Sequence, residues 1–354
     1  MADTITIQGM RNRAKRFLSS GTLEGLALSL GKASLKLLAL AEQPSYNEFR
    51  IPKKSGGMRR IEDPTPELKK AQRKLNDYLQ AVYHFQRTDA AYGFLANPVD
   101  DPSPRHILSN ARVHMGCRWL LNVDAKDFFH MVSEERVKQV FQSGPFHFEE
   151  PIAGLLASLC CYKGRLPMGA PTSPILSNFA SVPMDHALME LARKYDWKYT
   201  RYADDMTFSA QEEITEAHFA EVGAIIRSHG FLLNPEKKKH YGPEDEDKEV
   251  TGLLVRESRI DLPEGYLEQL EKAIDHLDKA IDAKYSMASG RGQKTAWLEE
   301  LEQQIRGKLE YARQILGEGD LLYLDLVVQL DEALTPPDYY GPMAWLDFGY
   351  ALPK

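Results

Sequence analysis

Two adjacent carboxylates, Asp204 and Asp205, follow Tyr202-Ala203 near the middle of the chain. The flanking residues 197–201 and 206–209 are rich in aromatic and β-branched side chains with near-alternating polarity, which is typical of half-buried strands. Two such strands joined by a tight turn form a hairpin that exposes the turn residues and fixes their direction. A pair of Asp side chains held there offers only oxygen ligands, which suits Mg²⁺.

A third candidate carboxylate, Asp124, ends the apolar segment 118–124. This segment predicts a buried strand that delivers Asp124 at its C-terminal end. Phosphoryl transfer with two metal ions needs carboxylates from separate elements that converge on ions about 3.5–4 Å apart. We therefore expect Asp124, Asp204 and Asp205 to hold two Mg²⁺ ions, unless Asp205 contributes to the geometry of the site more than to ligation.

Between these carboxylates lies a segment, residues 166–174, with three prolines and a glycine. Such a composition breaks any regular element, and the apolar pattern after it fits a helix entered at Pro174. A loop leading into a helix presents backbone N–H groups and small side chains, which suits close approach by a nucleotide or a template strand.

In this order and spacing, the three motifs resemble the palm of reverse transcriptases. Upstream, residues 49–61 resemble the fingers hairpin, and downstream, residues 230–237 resemble a segment that carries a catalytic lysine. The resemblance implies an α+β fold with right-hand polymerase architecture, in which the palm is an antiparallel sheet plus helices. We expect N-terminal helices and fingers in residues 1–104, the palm with part of the fingers in 105–260, and a helical thumb with a C-terminal tail in 261–354.

The resemblance also implies roles for basic residues, which neutralise phosphate oxygens or donate a proton to a leaving group. Lys237 is the candidate proton donor, with Lys238 as the alternative. The candidates for holding the incoming triphosphate are Lys53 or Lys54, together with Arg59 or Arg60.

Residues near the nucleotide complete the implied site. Phe129 occupies the position of the sugar gate, a ring under the ribose that excludes a 2′-hydroxyl; in the alternative, Phe129 is a core residue and Phe128 the exposed ring. Met168, beside Gly169, stands where the family usually has Gln. Because a thioether is a weak acceptor, the contact made by Gln is either supplied elsewhere or dispensable here.

Two short segments resemble signatures of retron reverse transcriptases and imply RNA recognition. They are Asn110-Ala111-Arg112-Val113-His114 and Val250-Thr251-Gly252. Alternatively, Asn110 and His114 cap and pack a short helix. The retron family implies an enzyme that binds its own structured non-coding RNA and starts DNA synthesis from a 2′-hydroxyl of that RNA. Its branched RNA–DNA product, msDNA, serves anti-phage defence with an effector, here expected to be separately encoded.

Other readings remain open at this point. Another bacterial reverse transcriptase, of the group II intron, diversity-generating or abortive-infection type, would share the palm motifs. A non-catalytic RNA-binding scaffold would not need three carboxylates suited to a metal.

The distribution of charge along the chain fits an enzyme that binds nucleic acid. The net charge is −7 over 354 residues, but residues 1–80 carry 15 Lys and Arg against 8 Asp and Glu. That basic end is a plausible track for a phosphate backbone, whereas residues 241–354 carry 12 against 24 and predict a solvated or partner-facing acidic surface.

The remaining composition predicts a cytoplasmic protein without a membrane segment. No stretch approaches the length of a membrane span, and residues 1–4 do not lead into a signal segment. Three cysteines, Cys117, Cys160 and Cys161, lack metal-ligand spacing, so we expect reduced thiols. The aromatic tail 336–345 is expected either to stack on RNA bases or to cover the thumb core.

Overall fold

The computed structural model describes residues 5–52, 56–287 and 296–335, and of residues 283–287 it describes the backbone alone. The chain divides into two compact units. The first comprises Met1–Thr251 with Val255–Arg259, and the second comprises Gly252–Leu254 with Ile260–Lys354. The predicted elements of fingers and palm thus lie together in the first unit, and the division at residue 104 stays a prediction.

The first unit begins with three short helices, a hairpin and a long helix. These are α1 (Ile7–Leu18), α2 (Leu23–Leu30), α3 (Ser34–Glu42), β1 (Tyr46–Pro52), β2 (Met58–Pro64) and α4 (Pro66–His84). Thr6 and Thr22 cap α1 and α2 by accepting hydrogen bonds from backbone N–H groups of the first turn. Pro66 opens α4, where its missing N–H costs nothing.

The central part of the first unit alternates helices with a small sheet. Its elements are α5 (Ile107–Val113), β3 (Trp119–Asp124), α6 (Glu134–Gln142), α7 (Glu150–Cys160), α8 (Ser173–Lys194), β4 (Lys198–Tyr202), β5 (Asp205–Ala210), α9 (Glu216–Ser228), a 3₁₀ turn (Pro235–Lys237) and β6 (Lys239–Tyr241). The sheet has the order β4-β5-β3-β6, and each neighbouring pair is antiparallel. The sequence-predicted strand at 118–124 and the helix entered at Pro174 are both confirmed.

One face of this sheet packs on a core that runs through the first unit. Leu121 and Val123 of β3 and Phe208 of β5 are buried there among side chains from α4, α6, α7 and α8. Cys160 and Cys161 belong to the same core, and all three cysteines are free thiols, as expected. Burial of this apolar surface fixes which face of each strand is inward, and therefore which edge carries the carboxylates.

The second unit is helical. Its helices are α10 (Glu264–Met287), α11 (Ala296–Leu316) and α12 (Leu321–Leu334). One face of α10 is apolar and buried, since Leu270, Ile274, Leu277 and Ile281 form one cluster with residues of α11 and α12.

Three short strands lie where the chain passes between the units: β7 (Glu249–Val250), β8 (Leu253–Val255) and β9 (Ile260–Asp261). The aromatic tail from residue 336 onwards lies outside the described residues. Among the helices of the described ranges, none is long and apolar enough to cross a membrane.

Candidate active site

The Tyr202-Ala203-Asp204-Asp205 segment forms the predicted hairpin tip. Tyr202 ends β4, Asp205 begins β5, and Ala203 and Asp204 make the turn between them. Ala203 has a φ of 60°, in the left-handed region. A positive φ at the first turn residue matches the right-handed twist of the strands, although glycine is the usual choice there.

Strand pairing brings Asp124 to the same place. In the antiparallel register of β3 and β5, Asp124 lies opposite Asp205. The backbone N–H of Ala125 donates to the carbonyl of Asp204 at 3.0 Å. The three predicted carboxylates therefore meet at one edge of the sheet, although Asp124 is 80 residues upstream of Asp204 in the chain.

The carboxylates affect one another's ionisation. Desolvation and the neighbouring Asp124 raise the pKa of Asp204, and desolvation with Asp204 and Asp124 raises the pKa of Asp205 to about 7. Carboxylates that repel one another in this way favour a bound cation, because a cation removes the repulsion.

The donor set fits a hard divalent ion, since it offers carboxylate oxygens alone. As the side chains stand, no group of three or more His, Cys, Asp or Glu residues in the described ranges is close enough to hold an ion. Instead, the Lys237 ammonium lies 2.7 Å from Asp124 Oδ2 and supplies a positive charge to the site.

Lys237 is placed by local backbone contacts. The N–H of Asn234 donates to the carbonyl of Asp124 at 2.8 Å, and the short turn that follows carries Lys237 over the carboxylates. Burial alone would lower the pKa of Lys237, but its hydrogen bond and ion pair with Asp124 outweigh burial and raise it. Lys238, the alternative proton donor, instead pairs with Glu216 and lies over the Phe219 ring.

A cavity of about 480 Å³ opens in front of Asp124 and Asp204. Its lining includes seven of the residues predicted for the site, namely Arg59, Arg60, Asp124, Phe129, Met168, Asp204 and Lys237.

Phe128 and Phe129 differ in their exposure to this cavity. Phe128 is buried at 5% exposure and stacks on Phe231, whereas Phe129 is less buried and lies beside Phe94 in the cavity lining. This arrangement supports Phe129, not Phe128, as the ring available to a ribose.

The two arginines of the fingers hairpin, Arg59 and Arg60, have different surroundings. Arg60 is paired with Glu48, whose bonds with Lys163 and Arg60 lower its pKa to about 2. Arg59 is exposed and makes no ion pair with any residue that the structure describes. Arg59 is therefore the arginine free to meet a phosphate group, while Lys53 and Lys54 lie outside the described residues.

The loop with Met168 and Gly169 lies directly against β2. The N–H of Glu62 donates to the Met168 carbonyl at 2.7 Å. Gly169 has a φ of 129°, and a Cβ at this position would lie 2.9 Å from the Glu62 carbonyl oxygen. Only glycine allows this approach without displacing the strand.

Glu62, Arg165 and His130 form a polar cluster beneath the cavity that sequence reasoning did not find. The Glu62 carboxylate is fully buried and accepts two hydrogen bonds from Arg165, each at 2.8 Å. Burial would raise the pKa of Glu62, but Arg165 and His130 outweigh it and lower the pKa. The available signal was Glu62 itself, an acidic residue inside the predicted hairpin, because a buried carboxylate requires a positively charged or hydrogen-bonding partner.

Arg201 is a second functional candidate that sequence reasoning did not find. It precedes the Tyr-Ala-Asp-Asp turn, is fully buried, and forms a bidentate ion pair with Asp185 of α8 at 2.7 and 2.8 Å. A charged residue inside a predicted half-buried strand requires a partner, and this requirement was the signal for it.

The retron-like signatures are placed mostly inside the protein. Asn110 and His114 are each 1% exposed. The two nitrogens of the His114 ring contact the hydroxyls of Thr200 in β4 and Ser209 in β5, both at 2.7 Å, so His114 joins the two strands of the hairpin. A side chain in this position has no surface for RNA to contact, and the geometry supports the packing role that the sequence left open.

The second signature meets the first. Thr251 Oγ1 accepts a hydrogen bond from Asn110 Nδ2 at 3.4 Å, and Val250 is buried. Gly252 alone is exposed, with a φ of 82° that favours glycine. Asn110, His114 and Val250 are thus buried, whereas Thr251 is partly exposed and Gly252 exposed, and a role of these five residues in RNA recognition stays a prediction.

Comparison with known proteins places this site in a family. The family model described as reverse transcriptase (RNA-dependent DNA polymerase) matches residues 51–253, which is more than half of the chain. The matched range contains the β4–β5 hairpin, the loop 166–174, the three carboxylates and Lys237.

Curated relatives indicate which type of reverse transcriptase this chain resembles. The retron Ec86 reverse transcriptase of Escherichia coli is 31% identical over 71% of this chain and 76% of its own. The retron Mx162 and Mx65 reverse transcriptases of Myxococcus xanthus are 31% and 33% identical over 76% and 55% of this chain. This chain spans 61% and 47% of the length of those two relatives.

A solved structure shares the fold. Telomerase from Candida albicans, in complex with a fragment of telomeric RNA, matches 89% of this chain and 68% of its own with a TM-score of 0.50. At 10% identity this likeness concerns the fold alone, and it agrees with the expected right-hand polymerase architecture. The chain therefore belongs to the reverse transcriptase family, in which it is an RNA-directed DNA polymerase of the retron type.

Proposed function

We propose that this protein reverse-transcribes one cognate structured non-coding RNA by two-metal nucleotidyl transfer, starting from a 2′-hydroxyl of that RNA. The observation that carries the chemistry is the meeting of Asp124 with Asp204 and Asp205 at the mouth of a cavity that also holds Lys237. The branched RNA–DNA product would act in anti-phage defence in the cytoplasm, together with a separately encoded effector.

Asp124, Asp204 and Asp205 would hold two Mg²⁺ ions, since their oxygens match the preference of that ion. When bound, the ions would lower the pKa of the attacking hydroxyl and neutralise charge on the leaving group. Lys237 is bonded to Asp124 in the present arrangement. With Asp124 holding a metal ion, Lys237 would no longer be bonded to this carboxylate, and its ammonium would be free to donate a proton to the pyrophosphate.

The cavity walls suit a deoxynucleoside triphosphate. Arg59 is free to bind phosphate oxygens, and Lys53 or Lys54 of the same hairpin would add a second cation. Phe129 would lie under the sugar and exclude a ribose 2′-hydroxyl. The fixed carbonyl of Met168 and the close approach at Gly169 hold the loop against β2, so its backbone can face the nucleotide.

A basic surface on the N-terminal helices supports RNA binding. Helices α1 and α4 pack together, and their exposed cations are Arg11, Lys15, Arg16, Lys70, Arg73 and Lys74. Such a cluster binds a phosphate backbone without reading its sequence, and the affinity falls steeply as salt rises.

Nucleic acid recovered with the purified protein tests this proposal. Wild-type protein should carry RNA covalently joined to DNA, so that RNase and DNase each shorten the species without removing it completely. Asp204→Asn/Asp205→Asn should carry RNA without DNA, while Asp196→Asn, an exposed control outside the site, should match wild type. RNA without DNA in the wild type would favour a scaffold, unbranched DNA would favour another type of reverse transcriptase, and no nucleic acid would contradict the proposal.

A further inference from the structure

The catalytic turn adopts a conformation that its sequence does not favour. Ala203 has a φ of 60°, and this left-handed conformation is unfavourable for a residue other than glycine because the Cβ crowds the backbone. Such conformations persist only where the surroundings over-determine them, commonly at functional sites. Contacts outside the turn must therefore hold it.

Arg201 makes one of those contacts. Its Nη1 donates to the Ala203 carbonyl at 3.1 Å, while its Nε and Nη2 are held by both oxygens of Asp185. Asp185 is itself fixed by hydrogen bonds from Tyr199 and Thr88. The guanidinium is thus clamped on one side and presents its remaining nitrogen to the turn.

A second set of contacts connects the turn to the segment 90–93. Asn178 of α8 accepts from Arg201 Nη1 at 3.0 Å and donates to the Gly93 carbonyl at 2.9 Å. Gly93 lies under the turn, where a Cβ would be 2.5 Å from Ala203 N and 3.0 Å from the Tyr202 carbonyl carbon. The φ of Gly93 is not positive, so glycine is required there for space and not for backbone conformation.

We propose that Arg201 is a positioning residue, which acts with Asp185, Asn178 and Gly93 to fix the turn and so set the spacing between Asp204 and Asp124. The proposal rests on the proposed function, because it assumes that these two carboxylates act together. The backbone pairing of β3 with β5 sets the register of the carboxylates. The contacts of Arg201, Asn178 and Gly93 fix what this pairing leaves open, namely the distance of the Ala203 peptide from Gly93.

The alternative is that the ion pair only stabilises the fold. The two roles predict different activities for a variant that still folds. A fold-stabilising pair affects the fraction of molecules that are active, whereas a positioning network affects the rate of each active molecule. A misplacement of about 1 Å in an active site can lower a rate by about 100-fold.

Gly93→Ala is the sharpest variant, because it moves the turn without removing a charge or a hydrogen bond. To reach an ordinary contact of 3.4 Å from 2.5 Å, Ala203 N must shift by about 0.9 Å. Gly154→Ala is the matched control, since its Cβ would have its nearest contact at 3.6 Å, with a flexible side chain. Asn178→Ala removes the link between Arg201 and Gly93 and also leaves the ion pair intact.

The assay is incorporation of one deoxynucleotide on an RNA template, with the rate taken from single-turnover reactions and the number of active sites from the burst amplitude with template in excess. Gly93→Ala and Asn178→Ala should lower the single-turnover rate about 10- to 100-fold with burst amplitude and nucleotide KM within twofold of wild type. Gly154→Ala should match wild type. A lower amplitude with an unchanged rate would overturn the positioning role and leave a structural one.

The same assay separates this inference from the proposed function. If Asp204→Asn also retains the wild-type rate, the proposed function fails. If Asp204→Asn is inactive while Gly93→Ala and Asn178→Ala retain the wild-type rate, the positioning role alone fails.

Discussion

Replacing Arg201 by Met should be among the most destabilising single changes in the first unit. Removal of one partner of a buried ion pair costs about 3–5 kcal/mol, because the other charge is left buried and unpaired. Asp185 keeps hydrogen bonds from Tyr199 at 3.0 Å and Thr88 at 3.2 Å, so we expect the lower end of that range. For a unit of this size, about 3 kcal/mol corresponds to a fall in Tm of roughly 6–12 °C.

The partner variant gives this prediction its control. Arg201→Met/Asp185→Asn removes both charges and keeps a polar group for Tyr199 and Thr88, so it should recover at least half of the lost stability. Calorimetry would measure the transition of the first unit, and hydrogen exchange of residues 198–202 would locate the loss. A single variant within about 1 kcal/mol of wild type, or a double variant no more stable than the single one, would contradict this prediction.

Three further predictions follow from individual side chains. Burial lowers the pKa of His114 to about 3 from its usual value near 6.5, so the folded state disfavours its protonation and stability falls as the pH drops below about 6.5. Urea unfolding should show wild type losing about 1.2 kcal/mol more than His114→Gln between pH 6 and pH 5; equal losses would contradict this. Phe129→Ala should lower discrimination against ribonucleotides at least about 10-fold in paired incorporation assays, whereas Phe128→Ala should instead cost about 3–5 kcal/mol of stability. Gly169→Ala should raise the nucleotide KM, because its Cβ would lie 2.9 Å from the Glu62 carbonyl, and an unchanged KM would show that the loop does not contact the nucleotide.

Local patterns predicted the elements of the site well. Alternating polarity identified β4 and β5, an apolar run identified β3, and clustered prolines identified the loop before α8. Each of these signals lies within about ten residues of chain, where hydrophobic period and turn chemistry decide the structure.

Long-range pairing could not be predicted from the residues alone. Nothing in the sequence of β3 specifies that Asp124 lies opposite Asp205, because register depends on the packing of both strands. Asp185 and Arg201 are 16 residues apart on a helix and a strand, and only the fold shows that they form one buried pair. For His114 the sequence motif indicated an important position but not its role, which is to join β4 and β5.

Asp124 and the Asp204-Asp205 turn are expected to act together in extending DNA on RNA. The decisive measurement is RNA-templated incorporation of deoxynucleotides by wild type, Asp124→Asn and the exposed control Asp196→Asn. We expect extension by wild type and Asp196→Asn, and a rate at least about 100-fold lower for Asp124→Asn with an unchanged fold. Equal rates for wild type and Asp124→Asn would contradict it.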